Sequence, residues 1–269
     1  MKHLQNATIV VFLLTILLYS GVMIYHGFMV DKTPPVIHCL SDQITISVKD
    51  DKSVLLSGIL AEDDRDGDLT NQVMIKNLSR LIGSNTAQVT YIVFDRANNM
   101  TTLTRTVVYS DYEKPKFTMT GALNYTQEDQ ISLMDRLAAY DVLSGDISQN
   151  ICVISQNVSQ ELGTYSVTVQ VTNSLGDIST LPLKLVIGKA GSQTLVELRE
   201  YLVYLKKGSD FDPMSYIRWV KDPDGNELPH SAVTVDGAVN MDAEGVYHVR
   251  YTCAAQDQIY HVYLTVVVE

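Results

Sequence analysis

An all-β chain of three tandem sandwich domains behind one N-terminal transmembrane helix is the fold class that this 269-residue sequence predicts. Three observations predict it. First, an alternating strand pattern at Gln88-Val89-Thr90-Tyr91-Ile92-Val93 returns at Gly163-Thr164-Tyr165-Ser166-Val167-Thr168-Val169 and at Gly245-Val246-Tyr247-His248-Val249-Arg250-Tyr251. Second, an acidic, glycine-containing turn lies upstream of each copy: Asp66-Gly67-Asp68, Gly145-Asp146 and Asp224-Gly225. The spacing of about eighty residues is too long for a solenoid and suits small sandwiches. Third, residues 7–25 carry no charge.

That uncharged run, with Ile9-Val10-Val11-Phe12-Leu13-Leu14-Thr15-Ile16-Leu17-Leu18 at its centre, is long enough to cross a hydrocarbon core as a helix. Lys2, His3 and the free amine precede it. The positive-inside tendency therefore puts residues 1–6 in the cytoplasm, residues 7–30 in a signal-anchor helix and its exit, and the remainder outside the cell. A cleaved signal peptide is the competing reading. The apolar run exceeds a usual signal-peptide core, and no small-x-small site follows it before Asp31, so the uncleaved anchor is preferred. Cys39 sits in no lipobox, since Pro34-Pro35 separates it from the run. No second run of this length occurs, which gives a single-pass protein of the cell membrane, held there through residues 7–25.

The exit Asp31-Lys32-Thr33-Pro34-Pro35 is stiff, because paired prolines set extended geometry. The first domain is expected over residues 32–110, with strands at Ile44–Val48, Val89–Phe94 and Leu103–Tyr109, each alternating and bounded by Asn, Asp or Gly. Ser110-Asp111-Tyr112-Glu113-Lys114-Pro115 echoes the first exit and opens a second domain over residues 111–190, which closes at Leu181–Ile187. Gly188-Lys189-Ala190-Gly191-Ser192 then reads as a flexible joint before a third domain over residues 191–269. That domain ends in a hairpin, with Ala254-Ala255-Gln256-Asp257 as its turn. A register with Val249 facing Val262 and Tyr251 facing Tyr260 puts His248, Arg250, His261 and Tyr263 on one side. Helix signals are weak: Asp212-Pro213 opens a turn or two before Val220, and Gln130–Leu137 holds the matching place in the second repeat. The chain stops directly after the last strand, so the helix is the expected means of retention and the third domain the expected distal tip.

At these residues the chain resembles the bacterial immunoglobulin-like repeats of surface and secreted proteins, a group also found appended to pesticidal crystal toxins. The resemblance rests on Pro34-Pro35-Val36-Ile37, on Gly208-Ser209-Asp210-Phe211-Asp212-Pro213 with the later Asp222-Pro223-Asp224-Gly225, and on the Gly-x-Tyr-x-Val strands at Gly163 and Gly245. It covers about residues 32–269. The family's Asp-x-x-Gly-Asn turn is partly kept: Asp95-Arg96-Ala97-Asn98-Asn99 has Asn98 in the glycine place, Asn173-Ser174-Leu175-Gly176-Asp177 keeps the glycine, and Ala254-Ala255-Gln256-Asp257 has lost it. The resemblance implies a fold and a place outside the cell. It implies no single activity.

Bulk properties exclude some function classes. A net charge of −11 without any basic stripe argues against a nucleic-acid partner. The three cysteines, Cys39, Cys152 and Cys253, fall one to a repeat at unrelated positions, so they read as small apolar residues, and unbridged sandwiches outside the cell fit a bacterium. No Gly-x-Ser-x-Gly, His-Glu-x-x-His, Cys-x-x-Cys or phosphate-loop pattern occurs, and the chain reads as a non-enzyme with no cofactor. Two polar groups remain. Glu62-Asp63-Asp64-Arg65-Asp66-Gly67-Asp68 offers Asp63, Asp64, Asp66 and Asp68 to calcium, with Asp95 and Asp111 as further ligands. An ordinary acidic loop accounts better for the run, because Arg65 interrupts it and the later repeats thin it out. The face His248, Arg250, His261 and Tyr263 could meet a sugar, an anion or a surface protein, although plain strand alternation produces such a row without function. Trp219, Tyr91, Tyr165, Tyr247 and Tyr251 are expected in cores. The chain is thus read as a membrane-anchored structural, adhesive or protein-interaction module. A glycan- or protein-binding module with its site in the third domain, or a passive accessory subunit of an envelope complex, are the alternatives.

Overall fold

The computed structural model describes every residue except Met1, Met29, Gln160 and Asp257, and also leaves aside the side chains of residues 2–4, His26 and Phe28. The anchoring charges expected at Lys2 and His3, and the turn residue Asp257, thus lie outside the described residues. The chain divides into two compact units, residues 1–111 and residues 112–269.

The first unit opens with helix α1 (Lys2–Phe28). Within it Gln5–Tyr25, 21 residues of mean hydropathy 2.4, has none of its surface buried in the protein. At 1.5 Å per residue that is about 30 Å, the thickness of a hydrocarbon core. Two of its hydroxyls bond inside the helix, Thr15 Oγ1 donating to Phe12 O at 2.7 Å and Ser20 Oγ to Leu17 O at 3.0 Å, which suits a segment surrounded by lipid.

The rest of the first unit is two sheets. β1 (Val36–Cys39), β3 (Ile59–Asp63) and β4 (Gly67–Asp68) form one, in the order β1-β3-β4. β2 (Gln43–Ile46), β5 (Met74–Leu78), β6 (Thr86–Phe94) and β7 (Met100–Tyr109) form the other, in the order β2-β7-β6-β5, with β2 parallel to β7. Alternation decides the faces: in β6, Ala87, Val89, Tyr91 and Val93 are completely buried while Gln88 and Phe94 are exposed. A 3-10 turn, Lys52–Leu56, capped by the Asp51 carboxylate on Ser53 N, crosses between the sheets. β2 stops at Ile46, two residues earlier than the alternation suggests. There Asp50 and Asp111 take the N–H groups of Ser47 and Val48 that a longer strand would use.

The second unit repeats this plan twice. β8 (Lys116–Met119), β10 (Leu137–Asp141) and β11 (Gly145–Asp146) make a small sheet. β9 (Asn124–Thr126), β12 (Cys152–Gln156), β13 (Gly163–Thr172) and β14 (Ile178–Gly188) make a larger one, in the order β12-β13-β14-β9. Then β15 (Val196–Leu198) pairs with β17 (Ile217–Val220), while β16 (Leu202–Leu205), β18 (Val233–Asp236), β19 (Gly245–Ala255) and β20 (Gln258–Val268) order as β16-β20-β19-β18. In each copy a short strand joins the four-stranded sheet in parallel: β2 on β7, β9 on β14, β16 on β20. The chain is therefore all-β beyond one N-terminal helix, with three immunoglobulin-like sandwiches in tandem.

Several expectations are refined. The β19–β20 hairpin pairs Val249 with Leu264 and Tyr251 with Val262, two residues from the expected register, because Ala255 and Gln258 close it. A slip of two preserves the faces. Asp212–Val220 supplies only the 3-10 turn Pro213–Tyr216, capped by Asp212 on Met214 N, before β17 begins. Gln130–Leu137 forms no helix at all. Gly188–Ser192 is a turn, Ser192 N bonding Lys189 O at 3.1 Å, between sandwiches that pack on one another. Leu202, Val246 and Val267 lie against the core of the second sandwich, and Met119 and Ala122 against that of the third. Tyr204 Oη accepts from Phe117 N at 2.9 Å, and Asn124 Nδ2 donates to His261 O at 2.6 Å.

Candidate metal centre

Three segments of the first unit converge on one group of carboxylates. Asp31 follows α1 in the exit, Asp63 ends β3, and Asp95 follows β6. One oxygen from each lies within 4.8 Å of the others. All three are withdrawn from solvent: the Asp31 side chain is 9% exposed, and Asp63 and Asp95 are 9% and 6% exposed.

Local turns fix each one. Asp63 Oδ1 accepts from Arg65 N at 3.0 Å and from Asp66 N at 2.9 Å, an Asx turn that aims the side chain back over the strand end. The N–H groups of Asp66 and then Arg65 hold this carboxyl below the usual carboxylate range. Asp63 Oδ2 is buried without a hydrogen-bond partner. Asp95 is clasped by Asn99, whose N–H bonds Oδ1 at 2.8 Å and whose Nδ2 bonds Oδ2 at 2.7 Å. The turn closes because Asn98 takes φ 65, a left-handed conformation that asparagine tolerates. Asn99 Nδ2 also donates to the carbonyls of Asp31, at 3.2 Å, and Thr33, at 3.3 Å, pinning the exit segment to the sandwich. Arg65 brings a counter-charge to the group, its Nε 3.7 Å from Asp31 Oδ2.

Of the four acids that the sequence offered to calcium, only Asp63 joins this group. Asp64 is exposed. Asp66 turns to Arg96, accepting from its N–H at 2.7 Å. Asp68 accepts from Thr70 N at 2.9 Å, leading into the next 3-10 turn. Asp95 takes part as a further ligand candidate, whereas Asp111 is engaged by Ser47 Oγ at 2.7 Å and Val48 N at 2.8 Å, and the Val48 N–H holds its carboxyl low. Sequence reasoning passed over Asp31, since a lone Asp at a helix exit has no neighbouring acid to mark it.

The second sandwich provides an internal comparison. Asp141 ends β10 as Asp63 ends β3, and Asn173 follows β13 as Asp95 follows β6. There Asn173 Nδ2 donates to Asp141 Oδ1 at 3.1 Å and to Tyr112 Oη at 2.9 Å, while Leu143 N and Ser144 N bond Asp141 Oδ2. Tyr112 Oη in turn donates to Asp177 at 2.7 Å, and burial, then the Asp177 charge, push its pKa up. The Asn173 amide and two backbone N–H groups thus satisfy both oxygens of the buried acid, and the Tyr112 phenol holds that amide in place.

The other expected group lies on one face of the third sandwich, as Arg250 pairs with Tyr263, Thr252 with His261 and His248 with Thr265. Arg250 bonds Asp236 at 2.9 Å. His261 Nδ1 lies 2.9 Å from Thr252 Oγ1, and its pKa is lowered by burial and then Arg250. His248 is more enclosed: burial, then the Lys184 charge from β14, bring its pKa down to about 4. Next to this face, residues of β9, β14 and β20 line a cleft of about 610 Å³ that includes Asn124, Tyr125, Asp129, Lys189, Tyr260 and His261. Tyr91 and Tyr251 are fully buried, whereas Tyr165, Tyr247 and Trp219 are only partly so. Trp219 lies beneath Lys221 Nζ, 4.9 Å from the ring centre.

No family model matches the chain, and no curated protein matches its sequence. Among solved structures, it is similar to CBM51-2 in complex with GlcNAc and the INT domains of Clostridium perfringens ZmpB, at 19% identity and TM-score 0.24, over 55% of this chain and 26% of that one. It is also similar to the protocadherin GammaB4 extracellular domain, at 10% identity and TM-score 0.23 over 88% and 51% of the two chains. The lipoprotein BT2262 of Bacteroides thetaiotaomicron follows at 12% identity and TM-score 0.21 over 86% and 98%. The chain spans about a quarter of the first of these structures and half of the second. Likeness at this level says nothing of activity, and the sandwich assignment rests on the strand pairing described above.

Proposed function

We propose that the chain is a non-catalytic, single-pass membrane protein that displays three immunoglobulin-like sandwiches outside the cell as a structural or adhesive module. The observation that carries this reading is α1. A helix with a 21-residue apolar span and none of that span buried has no solvent to suit it in water, and a bilayer supplies one. The sandwiches that follow it are compact, acidic and free of disulfides, which keeps a displayed module soluble. The working surface is then the outer faces of the sheets, turned toward a surface protein or a glycan.

Membrane fractionation of the full chain tests this. It should resist alkaline extraction and enter solution only with detergent, and a version lacking residues 1–30 should stay in the soluble fraction. Full-length chain released by alkali would count against the anchor. The alternative, a ligand-binding module, draws support from the cleft beside β20, where the partly exposed Tyr260 could stack on a sugar. In that case the ligand sits between the second and third sandwiches rather than on the third alone.

A further inference from the structure

We propose that Asp31, Asp63 and Asp95 bind one Ca²⁺, and that the ion ties the segment leaving α1 to the ends of β3 and β6. A cluster of acids alone would not carry this. Two further observations do. Asp63 is about nine-tenths buried, and while its Oδ1 accepts two N–H groups its Oδ2 is buried with no hydrogen-bond partner; buried polar atoms in folded proteins nearly always have one. The second observation is the internal comparison. Where the same turns recur in the second sandwich, Asn173 stands in the place of Asp95 and its amide donates to Asp141 Oδ1, the N–H groups of Leu143 and Ser144 take Oδ2, and neither oxygen of the buried Asp141 is left open. The first sandwich has kept three acids in the equivalent geometry, a charge that Arg65, 3.7 Å from Asp31, balances only in part.

The donor set selects the ion. It consists of carboxylate oxygens, with no imidazole or thiolate, so it suits a hard cation. Carboxylates that reach in from three separate segments suit the flexible coordination of Ca²⁺ better than the strict octahedron of Mg²⁺. Three side chains fill half or less of a Ca²⁺ shell, so water completes it, and affinity falls near the range of extracellular modules, about 0.1–1 mM. The ion's effect follows from where its ligands come from. Asn99 already bonds the carbonyls of Asp31 and Thr33, and a cation would add a second tether to the same exit. This reading holds whether or not α1 spans a bilayer, so failure of the anchor and failure of the site are read separately.

The test uses the full chain in detergent, stripped by a chelator and titrated with CaCl₂ by calorimetry. One Ca²⁺ should bind per chain. At about 1 mM it should raise the melting temperature and slow tryptic cleavage after the exposed Lys32, and MgCl₂ at the same concentration should do neither. Asp63→Asn and Asp95→Asn should weaken binding about tenfold or more and abolish both effects. Asp95→Asn reproduces what this turn already accommodates as Asn173, so it keeps the fold. Asp64→Asn and Asp68→Asn, in the acidic run but outside the cluster, should change nothing. Absence of binding, binding that survives Asp95→Asn, binding lost with Asp64→Asn, or an equal response to Mg²⁺ would each overturn the proposal.

Discussion

Tyr91 and Tyr251 hold equivalent places, each one strand in from the edge and fully buried, and each donates its hydroxyl to a 3-10 turn that crosses between sheets. Tyr91 bonds Leu55 O at 2.5 Å and Tyr251 bonds Pro213 O at 2.7 Å. Tyr91→Phe keeps the ring and strands a buried carbonyl, so it should cost the first unit about 1–2 kcal/mol in denaturant unfolding of the full chain. A cost near zero would mean that water reaches Leu55 O. His248 sets a pH dependence. Its folded pKa of about 4 lies below the ordinary 6.5, so the unfolded chain takes up the proton first as pH falls. The stability owed to its neutral burial is complete above about 6.5 and declines between there and about 4. His248→Gln should flatten that part of the melting-temperature profile, while His261, shifted in the same direction, leaves a residue of it. Alternation made Tyr91 legible as core, because period two allows only two faces. Asp31 was not legible, since its meeting with Asp63 and Asp95 depends on a chain path that no local pattern records.

Elements were readable where a strand has one wet face and one dry. The β6, β13 and β19 copies alternate cleanly, and their partners fall on the expected sides. The register of β19 with β20 was off by two because the turn residues carry no Gly to mark them. Asn98 shows the same effect in a milder form: it takes φ 65 where the second repeat has Gly176 at φ 77, so a left-handed position hides behind a non-glycine residue. Asn98→Val should cost about 1–2 kcal/mol, and Asn98→Gly should be neutral or slightly stabilising, both read by thermal melts. A stricter constraint lies just past β18. Gly237 has φ 107, and a Cβ there would come 2.5 Å from His248 O. That obstacle is backbone, which no rotamer change can move, so Gly237→Ala should destabilise the second unit by about 2 kcal/mol or more. Unchanged stability would mean that β18 and β19 separate more easily than their pairing implies.

On the scale of the whole molecule, three copies of one plan were visible from spacing alone, but the docking of the second and third sandwiches was not. A signal was present. β14 ends Leu185-Val186-Ile187 and β20 ends Val266-Val267-Val268, continuous apolar runs where a half-wet strand would alternate. Val186 is 8% exposed although its neighbours Leu185 and Ile187 already fill the core. Such runs mark strands covered on both faces. Removing residues 191–269 should therefore strip the second sandwich of the cover given by Leu202, Val246 and Val267 and lower its melting temperature. Scanning calorimetry of the full chain should show two transitions, one for each unit, where freely jointed sandwiches would give three.

Display outside the cell is the central claim, and the chain carries its own probe for it. Cys152 is exposed, Cys253 is buried and Cys39 is partly covered. With Cys39 changed to Ser, a membrane-impermeant maleimide applied to sealed right-side-out vesicles should label the full chain at Cys152, while Lys2→Cys in a Cys152→Ser background should react only after detergent is added. The opposite pattern, Cys152 protected and position 2 reactive, would place the sandwiches inside and contradict the account.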